Sequence, residues 1–177
     1  GRVLDVGCGG RPHFLSRMKR MGWEAHGNDI VEFPRLKQLE SEGIRCQVCD
    51  FSESRYQEEY FDVIVFWHVL EHLPAPVEAL RKARRLLKPG GLLVLALPNR
   101  ESLQAKWAGP HWFHLDVPRH YFHFTLGAVK KILGDGGFKP LYISHFSFEQ
   151  DIFSCIQTLY NRAGFEHDLL YNMLRTR

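Results

Sequence analysis

Close to its amino end the chain reads Gly7-Cys8-Gly9-Gly10-Arg11-Pro12, directly after the apolar run Arg2–Val6. Glycines at this spacing let a backbone turn with positive φ and let a ligand approach with no Cβ in the way. A dinucleotide loop has the pattern G-x-G-x-x-G, in which the third glycine packs a helix against a strand. Here that position is Pro12, so the NAD(P) pattern is incomplete and a different nucleoside competes for the loop. Carboxylates cluster around the ends of successive apolar segments: Asp5, Asp29 and Asp50. Ionised carboxylates accept hydrogen bonds from sugar hydroxyls, amino groups or backbone N–H groups alike.

Two histidine groups could do proton or metal chemistry. His68 and His72 are four apart with Glu71 between them. Two histidines at i and i+4 share a helix face and invite zinc, but the order is not H-E-x-x-H, so the glutamate is misplaced to serve as that motif's base. His111, His114, His120 and His123 surround Asp116 in a segment rich in Trp112, Phe113, Tyr121, Phe122 and Phe124. An aromatic lid that brings Arg119 and His120 to a substrate is the preferred reading there, and no metal is expected. Cys46 and Cys49 form a lone C-x-x-C within a strand pattern, without the second pair that structural zinc needs, and are read as core.

These residues need a scaffold, and the periodicity supplies one. Apolar strands at 2–6, 24–29, 44–49, 61–67, 92–97 and 138–145 alternate with amphipathic helices that open on Pro12, Pro34 and Pro76, and with one capped by Thr125 that ends at Gly136-Gly137. Proline suits a first helical position because its missing N–H has no intrahelical partner there. "KPGG" (88–91) reads as the turn into the fifth strand, and two short helical segments are expected from Glu149 onward. Strands joined through helices imply a doubly wound, Rossmann-like three-layer α/β sandwich with a mostly parallel sheet. In such sheets ligands sit at the carboxyl ends of the strands where strand order reverses, which singles out the Gly7–Gly10 loop. Residues 99–124 form the longest connection, and loops of that length are usually lids or binding loops.

Bulk properties exclude several classes. The chain has 177 residues, 45% hydrophobic and 24% charged, with a net charge of +3. That is one domain's worth of ordinary globular composition, and neither nucleic acid nor an anionic membrane is demanded as partner. Four scattered cysteines (Cys8, Cys46, Cys49, Cys155) do not make a disulfide scaffold and point to a reducing cytoplasm. The chain opens on a strand pattern without a visible signal peptide, and its apolar runs fall short of the ~20 residues of a spanning helix.

Several ordered motifs carry a family resemblance. "LDVGCGG" resembles motif I of the class I S-adenosylmethionine (SAM)-dependent methyltransferases, "CDF" (49–51) and "FDVIVFWHVLEHL" (61–73) resemble the segments after their third and fourth strands, and "LLKPGGLLVLALPN" (86–99) resembles motif III. "GPHWFHLDVPRHYFHFT" (109–125) is similar to a loop in a bacterial branch close to the ubiquinone-biosynthesis-type small-molecule methyltransferases. The resemblance covers residues 2–145 and implies a single methyltransferase domain over 1–177, with 99–124 as substrate lid and 149–177 as helical tail. It implies SAM as cofactor. Gly7 and Gly9 would make the close approach, Asp29 would hold both ribose hydroxyls with Ile30 beside it, and Asp50 and Phe51 would contact adenine. Phe66, with Trp67, would bring backbone toward the methionine end. Asp5 would contact the ligand's amino group or brace the loop. Arg11 replaces the third motif I glycine, and the resemblance implies that its guanidinium would lie near the methionine carboxylate. The helix that usually precedes the first strand and the strand that usually completes the sheet are not found.

Methyl transfer from a sulfonium chiefly needs orientation and exclusion of water. A base helps where the acceptor loses a proton, and His68, His72 and His120 are the candidates because imidazole titrates near neutrality. The D/N-P-P-Y/F/W motif of amine-methylating enzymes is absent after strand four, where "FWHV" stands. The expected acceptor is therefore a small, apolar or aromatic molecule methylated on oxygen or carbon, with no nucleic-acid partner and no integral membrane segment. The rivals are a SAM-binding, non-catalytic partner subunit and an NAD(P)-binding oxidoreductase.

Overall fold

The computed structural model describes residues 1–9, 12–32, 34–145 and 148–165. Strands β1 (Arg2–Val6), β2 (Glu24–Asp29), β3 (Arg45–Val48), β4 (Phe61–Trp67) and β5 (Leu87–Ala96) form one sheet in the order β3-β2-β1-β4-β5. Every pairing is parallel. Helices α1 (Pro12–Arg20), α2 (Pro34–Ser41) and α3 (Pro76–Leu86) connect β1 to β2, β2 to β3 and β4 to β5, and a 3-10 turn, Phe51–Glu53, lies between β3 and β4. The chain steps outward from β1 to β3 and then returns to lay β4 on the other side of β1. This reversal puts a switch point between the carboxyl ends of β1 and β4.

Side-chain alternation divides the core between the two faces. Val3 of β1 and Val65 of β4 pack with Leu15 of α1 and with Leu36 and Leu39 of α2. Leu4, Val6, Ile64 and Phe66 belong to the other face, with Leu80, Ala83 and Leu86 of α3 and with Ile132 and Leu133. Because the period is two, a slip of one residue along β1 would exchange the faces, so the register Leu4↔His26 and Leu4↔Ile64 is strongly specified.

The described chain divides into two compact units. The first, Gly1–Leu97 with Ile132–Phe138, holds the sheet. The second joins Pro98–Lys131 with the described residues from Lys139 onward, and contains α4 (Leu103–Ala108), two 3-10 turns and α6 (Phe148–Arg162). Its centre is Trp112, fully buried against Ala105 and Ala108. The indole N–H donates to Gln104 Oε1 at 3.1 Å, Gln104 Nε2 donates to Ser154 Oγ at 3.0 Å, and the Phe113 N–H donates to Thr158 Oγ1 at 3.1 Å. Helix α5 (Leu126–Asp135) begins in the second unit and ends in the first; Thr125 caps it, its hydroxyl accepting the Ala128 N–H at 3.1 Å.

Three expectations need correction. "KPGG" is no turn ahead of β5 but a bulge within it: pairing runs from Phe61↔Leu87 to Val63↔Leu92. Gly90 takes φ +78°, and a Cβ on Gly91 would stand 3.0 Å from the Lys88 carbonyl oxygen. Residues 138–145 form no strand; a strand needs a neighbour for its N–H and C=O groups, and none of the described residues pairs with them. Residues 99–124 are not one open loop, since α4 and the 3-10 turns Gly109–His111 and Phe113–Leu115 lie inside it. The tail begins with helix α6, where the first of the expected helical segments lies; residues 166–177 of the expected tail lie outside the described residues.

Candidate functional site

The glycine loop leaves β1 under close constraint. The Gly7 and Cys8 N–H groups both donate to the Asn28 carbonyl, at 2.7 and 3.2 Å. Gly7 has φ +69°, and a Cβ there would stand 2.4 Å from Val69 Cγ2. The missing side chain at Gly7 thus lets the loop pack beneath the segment that follows β4. At Gly9, φ is +49°, and a Cβ would meet Asp29 Oδ2 at 3.8 Å and the Gly7 carbonyl oxygen at 3.2 Å. Here the left-handed backbone and the close Gly7 carbonyl call for glycine, while the Asp29 carboxylate stands at ordinary contact distance. Gly10 and Arg11 lie outside the described residues.

Asp29 closes β2, 8% exposed. Its Oδ2 accepts the Gly9 N–H at 2.6 Å and its Oδ1 accepts the Val31 N–H at 3.1 Å. The carboxylate therefore ties the tips of β1 and β2 together, and Ile30 beside it is 68% exposed, an apolar surface at the same tip. Asn28 braces this corner: its side-chain amide donates to the carbonyls of Gln47 and Cys49 at 3.1 and 3.0 Å. Asp5 is buried within β1 on the same side as Val3, one pairing step before Val6↔Asn28.

Asp50 and Phe51 have local work. Asp50 Oδ1 accepts the Ser52 hydroxyl at 2.6 Å and the Ser52 N–H at 2.7 Å, capping a 3-10 turn. These bonds, the hydroxyl's first, hold its carboxyl below the usual carboxylate range. Phe51 is 3% exposed and meets Phe66 edge to face at 5.4 Å. Both rings belong to the core, and Phe66 is wholly buried.

His68 and His72 do not share a helix face. His68 leaves β4 with φ +55°, a left-handed conformation uncommon outside glycine, and its N–H donates to the Ala96 carbonyl at 2.9 Å. His72 closes a 3-10 turn, Leu70–His72, its N–H donating to the Val69 carbonyl at 2.9 Å. Between them Glu71 is 1% exposed, and neither carboxylate oxygen has a hydrogen bond among the described residues. Its Oε1 lies 3.4 Å from His68 Nδ1.

His120 belongs to the second unit. Its Nδ1 contacts the His114 carbonyl at 2.9 Å, and Nε2 lies 3.7 Å from Asp116 Oδ2. His123 Nε2 contacts the Leu115 carbonyl at 2.7 Å. Carbonyls accept only, so those ring nitrogens carry protons and brace the turn. The structure thus brings together Asp5, Gly7, Gly9, Asp29, Ile30 and His68 at the carboxyl ends of β1, β2 and β4. It sets Asp50 as a cap and Phe51 and Phe66 in the core.

Beneath the loop, Cys8 and Cys46 meet across Gly27, where a Cβ would stand 3.0 Å from either sulfur. Cys46 ionises first because the resulting thiolate accepts a bond from the Cys8 thiol; that bond, with burial, pushes Cys8 up. Sequence reasoning passed over Asn28 and Val69, and weighed Glu71 only as a misplaced zinc-motif base. An asparagine next to a strand-end acid is a weak local signal for the first, and no local signal marks Val69.

Comparison with known proteins gives a coherent picture. A family model described as "Methyltransferase domain" matches residues 1–143. The ubiquinone biosynthesis O-methyltransferase of Pseudomonas aeruginosa is 39% identical over 107 residues, 56% of this chain and 45% of that protein. That of Xanthomonas oryzae is 40% identical over 133 residues, 70% of this chain and 54% of that protein. The chain spans about half the length of these curated relatives. Among solved structures, 1,6-didemethyltoxoflavin-N1-methyltransferase of Burkholderia thailandensis, with bound 1,6-didemethyltoxoflavin and S-adenosylhomocysteine, superposes with TM-score 0.64 at 25% identity, covering 80% of this chain and 61% of that one. A SAM-dependent methyltransferase from Archaeoglobus fulgidus gives TM-score 0.63 at 26% identity, covering 86% and 76%.

Proposed function

The chain belongs to the methyltransferase-domain family of class I SAM-dependent enzymes, and on that premise we propose that residues 1–177 work as one domain that methylates a small molecule. The acceptor atom is an oxygen or a carbon of an apolar or aromatic compound, with a hydroxyl oxygen favoured by the O-methyltransferase names of the relatives. Aromatic content in 99–124, with Trp107 and Tyr121 exposed, supports an aromatic acceptor. Four free thiols suit a reducing cytoplasm. Among the described residues no helix is long and apolar enough to cross a membrane.

The observation that carries the reading is the Gly9–Asp29 pair. The Gly9 N–H bond to Asp29 Oδ2 joins the bare loop backbone to the carboxylate that ends β2, and a carboxylate is the donor-free acceptor a sugar diol needs. The residues therefore fit an adenosyl ligand: Asp29 would hold the ribose, Ile30 would cover the base, and the Gly7–Gly9 backbone would take the methionine end with Asp5 behind it. Asp50 and Phe51 would border the base through the turn they form. When bound, SAM supplies a methyl group on a sulfonium. The chain's own contribution is orientation, exclusion of water and a proton acceptor. His68 is the base we assign, because it emerges at the switch point beside the loop; His72 and His120 are the other imidazoles we retain as candidates.

Calorimetry with S-adenosylhomocysteine, SAM and NAD(H) in parallel tests the reading. We expect binding of the first two and none of the dinucleotide. Release of S-adenosylhomocysteine with hydroxylated aromatic acceptors separates an enzyme from a SAM-binding partner subunit. Binding of NAD(H) alone would overturn the proposal.

A further inference from the structure

A buried carboxylate without a hydrogen bond is a costly arrangement. Desolvating an ionised carboxyl is strongly unfavourable unless hydrogen bonds or an opposite charge offset it. Glu71 is in that position: it is 1% exposed, and both oxygens lack a hydrogen bond among the described residues. His68 Nδ1 lies 3.4 Å from Oε1, an ion-pair distance. His72 also has a ring nitrogen within 4.8 Å of a Glu71 oxygen. His68 holds a left-handed backbone, φ +55°, fixed by its N–H bond to the Ala96 carbonyl. Such strain persists only where surrounding structure imposes it, and it gathers at functional sites.

We propose that Glu71 is a positioning residue for His68, its buried carboxylate holding Nδ1 as the protonated nitrogen so that Nε2 is the basic one. The inference rests on the reading above, in which His68 accepts the acceptor's proton. The acceptor's O–H bond breaks, the proton forms an N–H bond at Nε2, and the resulting imidazolium is balanced by the Glu71 carboxylate 3.4 Å away. A buried acid that fixes the tautomer and stabilises the imidazolium is the general logic of a base oriented by a third group.

The ring-nitrogen NMR spectrum of the whole protein with 15N-labelled histidine, S-adenosylhomocysteine present, tests the positioning without any acceptor. Wild type should show His68 protonated at Nδ1. Glu71→Leu, similar in size, should move the proton of His68 to Nε2 while leaving S-adenosylhomocysteine affinity within about twofold. Glu71→Gln keeps an acceptor oxygen without the charge. It should keep the Nδ1 tautomer, and with 3,4-dihydroxybenzoate as probe acceptor it should lower kcat at least tenfold at constant KM, the order of effect of a positioned base. An unchanged His68 tautomer in folded Glu71→Leu, or a change confined to His72, overturns the proposal. If Glu71→Leu does not fold, a neutral His68 protonated at Nε2 in wild type or in Glu71→Gln overturns it equally. His68→Gln with wild-type kcat would instead remove the base assignment itself, and loss of S-adenosylhomocysteine binding in wild type would remove the functional reading.

Discussion

Replacing Asp29 with alanine removes two acceptors at once. Oδ2 holds the Gly9 N–H at 2.6 Å and Oδ1 holds the Val31 N–H at 3.1 Å. Gly9 and Val31 are exposed, so water can take over both donors and the loss of fold stability stays near the low end, about 1–2 kcal/mol. The ligand has no such substitute, because its sugar hydroxyls would face a methyl group in place of a charge. Hydrogen bonds to a charged group are worth about 1.5–3 kcal/mol, which converts to roughly 10- to 150-fold in dissociation constant. Calorimetric titration of S-adenosylhomocysteine into Asp29→Ala, alongside urea denaturation of the unliganded protein, separates the two effects. We expect the affinity loss to exceed the stability loss. A folded variant that binds as tightly as wild type would refute the reasoning and leave Asp29 as a loop brace.

Three further outcomes follow from packing and titration. Gly7→Ala should destabilise by about 2–4 kcal/mol, combining left-handed strain with overpacking, since the new methyl would lie 2.4 Å from Val69 Cγ2. Made on a Val69→Ala background it should cost only about 1–2 kcal/mol, the strain alone, and a denaturation cycle with no coupling between the sites would contradict this. Glu24 is lowered to about 2, first by the Tyr60 hydroxyl bond at 2.8 Å and also by Arg2 and His26. A depressed carboxyl stabilises the fold above its unfolded value and loses that contribution as pH falls, here from about 4.5 through about 2. Tyr60→Phe should flatten that acid limb in urea denaturation, and an unchanged limb would discount the bond. His26, buried among Tyr56, Tyr60 and Phe61, is lowered chiefly by burial. The folded state therefore prefers it neutral, and its contribution should fade as pH drops below about 6.5; His26→Phe should weaken that dependence, and an identical dependence would argue against it.

Much of the scaffold is legible in local chemistry. The bounds of β4 follow from a run of apolar and β-forming residues, and Pro12, Pro34 and Pro76 each open a helix. These signals act within a few residues, through fixed φ and side-chain period. The errors fell where the outcome depends on a partner. "KPGG" resembles a turn until Leu87 finds Phe61, and 138–145 has strand composition but no neighbouring strand among the described residues. Asp50 and Phe51 stand as ligand-contact candidates by their order in the chain, and the structure adds a local role to each: the first caps a turn with Ser52 and the second meets Phe66 edge-on.

By itself the sequence determined the alternation of strands and helices, the bare loop after β1 and the acid that ends β2, since each is written in neighbours along the chain. Tertiary structure decided the rest: Gly7 lacks a side chain because Val69 occupies the space, and Glu71 meets His68 because a left-handed residue folds the segment back on itself. Burial and pairing are properties of neighbours in space, and desolvation assigns them a free energy that no local pattern records.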